Sequence, residues 1–341
     1  MLLALVAGCA TPGPQAEPVY FPARPGNPRV VHLKSFNSLS DLVPTRRSFL
    51  DWIRGGPVSP HVGIPAGIAY RAGHLYICDI EINVLHDWDL TSGQAGRLGH
   101  SGELALAKPV AVAVDEVGTI YVADTGRGEV VAFDSTGRST HRIRPPDRES
   151  YRPVAVAVHG SRLYVADIAG HTIDVFSTEE GRFLEAWGRP GNKPGELYYP
   201  MGVATNGSGH VLVSDMMNAR IQVFDAEHNP LLSFGQPGDR YGDLGKPKHL
   251  AVGPDGTIII ADAEFAHVHL FNARGQLLLL VGSVDDEPGG TPMPLGVAVA
   301  RSLPEAVASL VPADFKADYY FFVSNVVGRK RISLYAVGSA R

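Results

Sequence analysis

Five aspartates stand at matched places in the chain, Asp79, Asp124, Asp167, Asp215 and Asp262, and an asparagine, Asn325, takes the sixth place. Carboxylates in a ring can hold a divalent cation. However, a residue that returns in nearly every copy of a unit serves the unit. An Asp at a strand end accepts the amide protons of its own turn, so these acids are expected to be structural. The residues that break the pattern say more about chemistry. Two places after the proline that opens each unit stand Gly67, Ala111, Ala155, Gly202, His249 and Gly296, five of them tiny and one an imidazole. The place before each proline reads Ile64, Lys108, Arg152, Tyr199, Lys246 and Met293. Lys108, Arg152, Tyr199, Lys246 and His249 together offer cationic donors, a phenol and an imidazole, with no nucleophile among them. Such a set suits an anionic or carbonyl-rich group. A metal site needs three or four converging ligands, and one histidine falls short, so no metal and no cofactor are expected. Neither is acyl chemistry, because there is no G-x-S-x-G elbow and Cys78 lies inside a strand-like run, where a thiol is inert.

These residues are spaced by a repeat. The opening prolines are Pro65, Pro109, Pro153, Pro200, Pro247 and Pro294, separated by 44, 44, 47, 47 and 47 residues. Each is followed by a strand-like run, then a second ending at the acid or amide, a third ending near Phe133, Phe176, Phe224, Phe271 or Tyr335, and in the clearer copies a fourth closing at a glycine. Four short strands in about 40–50 residues is the signature of a propeller blade, which must stack on its neighbours to bury both faces. The expectation is an all-β, six-bladed β-propeller of four-stranded antiparallel blades. The sixth blade has only three strands after Pro294, and the run Val30–Phe36 is free to supply the outermost one beside Arg331–Tyr335, removing an open edge. An insertion, 301–318, breaks the sixth blade and carries one possible helical turn. In this ring His249 falls near a mouth of the central channel.

The units GELYYPMGVATNGSGHVLVSDMMNARIQVFD (195–225) and KPVAVAVDEVGTIYVADTGRGEVVAFD (108–134) resemble NHL repeats, and the resemblance runs over roughly 58–338. It implies a six-bladed propeller. Its members include binding and scaffolding domains, RNA binders, kinase sensor domains and zinc-dependent amidating lyases with several channel histidines. The resemblance therefore implies fold more narrowly than function. An enzymatic alternative, a metal-dependent hydrolase or lyase of lactonase or amidating-lyase type, would use His249 with a loop glutamate, Glu81 or Glu264.

Composition agrees with a folded domain: 341 residues, 45% hydrophobic, 19% charged, and net charge −5, which carries no nucleic-acid signature. The first nine residues, MLLALVAGC, form an apolar run ending in small residues before Cys9. Val6-Ala7-Gly8-Cys9 resembles the lipobox of bacterial lipoproteins, although no basic residue precedes the run. Residues 1–9 are thus read as a lipoprotein signal-like segment and 10–28, with six prolines, as an extended tether. Residues 29–341 are read as the propeller, with RRSFLDWIR (46–54) as a short helix. No later stretch reaches the roughly 18 consecutive apolar residues of a membrane helix. The sequence-level reading is a non-enzymatic propeller of the cell envelope, periplasmic or at the outer membrane. It would hold an envelope protein, a glycan or a small anionic ligand, would not bind nucleic acid, and would meet the membrane only through a lipidated Cys9.

Overall fold

The computed structural model describes residues 18–43, 61–102 and 104–341. Cys9 and the helix expected at 46–54 lie outside them. Every first strand begins on its proline, as at Pro109–Val114, Pro200–Thr205 and Pro247–Val252. Every second strand ends on its acid or amide, from His74–Asp79 to Phe315–Asn325. Five sheets are four-stranded antiparallel meanders, and together with the sixth they make a six-bladed β-propeller. Proline suits the opening place because it sits at a strand start, where no ladder donor is needed.

The sixth sheet closes as the sequence reading expects. Val30–Phe36 pairs antiparallel with Ile332–Ala340, from Val30 opposite Val337 to Phe36 opposite Ile332. A fifth strand, Val19–Phe21, covers the outside of Val30–Phe36. Part of the segment read as a tether is therefore a strand, and an edge strand tolerates the flanking prolines. Side chains tie it down, with Tyr20 Oη donating to Asp314 at 2.8 Å and Arg24 pairing with the same carboxylate at 2.6 Å. The insertion in the sixth blade contains a four-residue helix, Glu305–Ala308, whose Val307 is fully buried in a core with Phe36, Trp88 and Leu334.

The core lies between blades rather than inside any one of them. One cluster joins Val154, Tyr164 and Ile173 of blade 3 to Val203, Val211 and Phe224 of blade 4. The tiny residues two places after the prolines are explained by the approach of neighbouring first strands. A Cβ on Gly67 would lie 2.5 Å from Ala111 Cα, one on Gly202 2.5 Å from the Lys248 carbonyl, and one on Gly296 2.6 Å from the Ala66 carbonyl.

The repeated acids are wholly buried and structural. Asp79 accepts from the amides of Gly63 (2.8 Å) and Glu81 (3.0 Å) and from His86 Nε2 (3.0 Å). Burial alone would raise its carboxyl, yet the bonds from His86, Gly63 and Glu81 outweigh that and hold it below the usual range. In several blades a further polar group partners the acid or amide, each time in a different way. Gln222 reaches Asp215 at 3.4 Å, Asn325 donates to Ser333 at 3.3 Å, and Arg148 bridges Asp167 (3.0 Å) and Asp174 (2.7 Å).

Candidate binding face

The loops that lead into the prolines and the turns that follow the acids emerge on one side of the disc. The acids set the backbone there. Asp124 takes the amides of Ala107 (2.6 Å) and Lys108 (2.8 Å), Asp167 that of Arg152 (2.9 Å), Asp215 that of Tyr198 (2.6 Å), and Asp262 those of Gly245 (2.7 Å) and Lys246 (2.9 Å). In blades 2 to 5 a buried carboxylate thus pins the backbone at or beside Lys108, Arg152, Tyr199 and Lys246.

The structure divides the five candidates. Lys108 and Arg152 are exposed, and among the described residues neither enters an ion pair. Lys246 is also exposed, but its ammonium sits 2.6 Å from Glu264 Oε2, so its charge is locally cancelled. Tyr199 takes a left-handed backbone, φ +60°, and its amide donates to His171 Nδ1 at 3.1 Å. Its ring meets His171 edge-on at 5.2 Å and Tyr198 at 5.7 Å, and Tyr198 in turn stacks on His171 at 5.1 Å.

His249 does not join the arc at the surface. It stands where the other blades carry a tiny residue, and its side chain turns across the channel. Its Cε1 lies 3.2 Å from where a Cβ on Gly67 of blade 1 would be, and the ring bonds to the backbone of Val154 in blade 3. Burial lowers its pKa to about 4, against the opposing pull of the Val154 bond. At neutral pH it is an uncharged imidazole lining the channel. His269, on the third strand of blade 5, is buried 3.9 Å from Asp262. Among the described residues no three His, Cys, Asp or Glu side chains converge as metal ligands.

Two features of this face, its exposed apolar side chains and the reach of Lys248, were not read from the sequence, although Lys248 itself was noted there beside the candidate cations. First, exposed apolar side chains concentrate on it. Eight of the twelve large hydrophobic residues exposed among the described residues belong to its loops: Ile82, Tyr198, Tyr199, Met217, Tyr241, Val284, Met293 and Val327. Leu184, Leu231 and Leu278 lie on outermost strands, and only Val117 is on the opposite face. Single exposed apolar residues are ordinary, but here most of those among the described residues share one face. Second, Lys248 reaches over to blade 4, where its Nζ lies 3.2 Å from Met216 Sδ. A signal existed for Lys248: the place after the prolines reads Ala66, Val110, Val154, Met201, Lys248 and Leu295, one cation among five apolar residues.

No family model matches the chain, and no curated protein matches it in sequence. Solved structures do match in shape. A gluconolactonase, XC5397 of Xanthomonas campestris, superposes with a TM-score of 0.58 at 14% identity, over 95% of this chain and 99% of that one. A streptogramin B lyase superposes at 0.57 and 14% identity, over 82% and 85%. A chain of the nidogen/laminin complex superposes at 0.50 and 18% identity, over 63% and 79%. At these identities the likeness shows the fold alone. The chain is a six-bladed β-propeller whose structural neighbours include both enzymes and a binding propeller.

Proposed function

We propose that this is a non-enzymatic binding propeller of the NHL-repeat type, held at the bacterial cell envelope through a lipidated Cys9, with the loop face as its working surface. The observation that carries this reading is that eight exposed large apolar side chains lie on the same face as Lys108 and Arg152, two exposed cations without an ion pair among the described residues. Apolar and aromatic contact area beside unneutralised charge is what a recognition surface needs, with the charge supplying steering and selectivity. The partner is an envelope protein, a glycan or a small anionic ligand. The enzymatic alternative has less support, because among the described residues no three His, Cys, Asp or Glu side chains converge around His249 and Glu264 is paired with Lys246.

The test is charge reversal. Lys108→Glu with Arg152→Glu should weaken capture of the envelope partner at least tenfold and remove the salt dependence of binding. The melting temperature should stay within a few degrees, since exposed loop changes usually cost little stability. Unchanged capture by the double variant would place the working surface elsewhere. The anchor is tested separately. Cys9→Ser, expressed behind a complete leader, should move the protein from washed membranes to the soluble fraction, and retention in the membranes would rule the anchor out.

A further inference from the structure

Lys248 is the one polar residue in the column that follows the opening prolines. It is half-buried, and among the described residues it forms no ion pair. Its ammonium rests against a thioether, Met216 Sδ, at 3.2 Å. The acid nearest in effect, Asp262, already receives the amides of Gly245, Lys246 and Glu264. Burial pushes the lysine's pKa down, and the neighbouring Lys246 adds to this. A partly desolvated cation with no counterion is costly, and an incoming anion would relieve that cost.

The surroundings limit what the anion can be. The turn carrying Met216 and Met217 is tied to the tyrosine pair, with the Met216 amide donating to the Tyr199 carbonyl at 3.2 Å and that of Met217 to Tyr198 at 3.1 Å. Tyr198, Tyr199 and Met217 are exposed at 43%, 37% and 52%, and His171 backs Tyr198 in a near-parallel stack, 12° between planes. One unpaired ammonium, with Lys246 already engaged by Glu264, matches a single negative charge better than a phosphate dianion. The rings and thioethers match a planar apolar body.

We infer that this sector, where blades 3, 4 and 5 meet on the loop face, binds a small monocarboxylate bearing an aromatic group, with the carboxylate on Lys248 Nζ and the ring against Tyr198, Tyr199 and Met217. This rests on the binding reading above and names the ligand class for one part of that face.

Methionine-methyl NMR titration tests it, since the chain has only 5 Met and two of them, Met216 and Met217, lie at the site. The probes are 3-phenylpropionate, its neutral amide, acetate and phenyl phosphate. Saturable shifts of the Met216 and Met217 methyls are expected with 3-phenylpropionate, at least tenfold tighter than with the amide or acetate and tighter than with phenyl phosphate. Lys248→Met and Lys248→Leu copy the residues that blades 4 and 6 already carry at this place, Met201 and Leu295, so both should fold. Both should bind the acid no better than the amide. Tyr199→Ala should weaken acid and amide alike, severalfold. Saturable binding that does not distinguish acid from amide, that prefers the phosphate, or that is unchanged in both Lys248 variants overturns the ligand class and leaves the binding face standing. If no probe binds saturably, the ligand class falls, and partner capture by the Lys108→Glu/Arg152→Glu protein then decides the face separately.

Discussion

A protein lacking residues 1–36 should give no cooperative thermal transition and should be recovered as aggregate. The deleted segment contains Val30–Phe36 and its outer cover Val19–Phe21. Val30, Val31 and Phe36 are completely buried, and burying an aliphatic or aromatic side chain contributes roughly 1.5–3 kcal/mol. Three such side chains come to about 5–9 kcal/mol, comparable with the whole stability of a typical domain at about 5–15 kcal/mol. The deletion also strips the edge of Ile332–Ala340, a nine-residue strand whose first seven residues are buried in the intact protein. An uncovered edge of that kind templates aggregation. Circular dichroism melts of the two proteins decide the matter. A truncated protein melting within a few degrees of the full chain would show that the ring does not depend on this latch.

Urea titrations at pH 7 and pH 5 should differ by several kcal/mol, with the protein weaker in acid. Burial holds His32, His249 and His269 each at a pKa of about 4, against about 6.5 in an unfolded chain. As pH falls from 6.5 towards 4, the unfolded state takes up protons at these places and the folded state does not, so stability present above 6.5 is progressively lost. Asp174 works in the opposite direction. Burial outweighs Arg148 and raises its pKa to about 6, so over the same interval the folded state takes up a proton ahead of the unfolded one. The net difference near pH 5 is about two protons, or roughly 3 kcal/mol per pH unit. His249→Gln should make that slope shallower by about one proton. Equal stability at pH 5 and pH 7 would mean that these imidazoles are not kept neutral by the fold.

Much of the architecture was legible because the repeat is written in residues with narrow backbone roles. Proline opens each first strand, an acid or amide closes each second one, and six copies fix the number of blades. The closure could be read from an arithmetic deficit, three strands after Pro294 and one unclaimed run at Val30–Phe36. Val19–Phe21 was missed because proline density masks a three-residue edge strand, and what secures it is the distant Asp314. The working face was only half legible. Exposure of Lys108 and Arg152 follows from their place in the loops, but the pairing of Lys246 with Glu264 depends on how two loops of blade 5 meet in space. Likewise, the contact of Lys248 with Met216 joins blades 4 and 5 across 32 residues. His249 was placed at the channel, but whether it faced outward or across the lumen depended on the gap left at Gly67.

The latch also bears on how the molecule is made. Val30 waits for Val337, so the inner edge of a strand synthesised early has no partner until the last residues of the chain appear. Blades 1 to 5 can stack in order as they emerge, but the ring stays open until the end. During that wait the N-terminal arm and the open edge are complementary surfaces on the same molecule, and equally on any two molecules. Self-closure wins when the arm's effective concentration at its own edge exceeds that of neighbouring chains. In a crowded refolding mixture the balance shifts to exchanged arms and linked propellers.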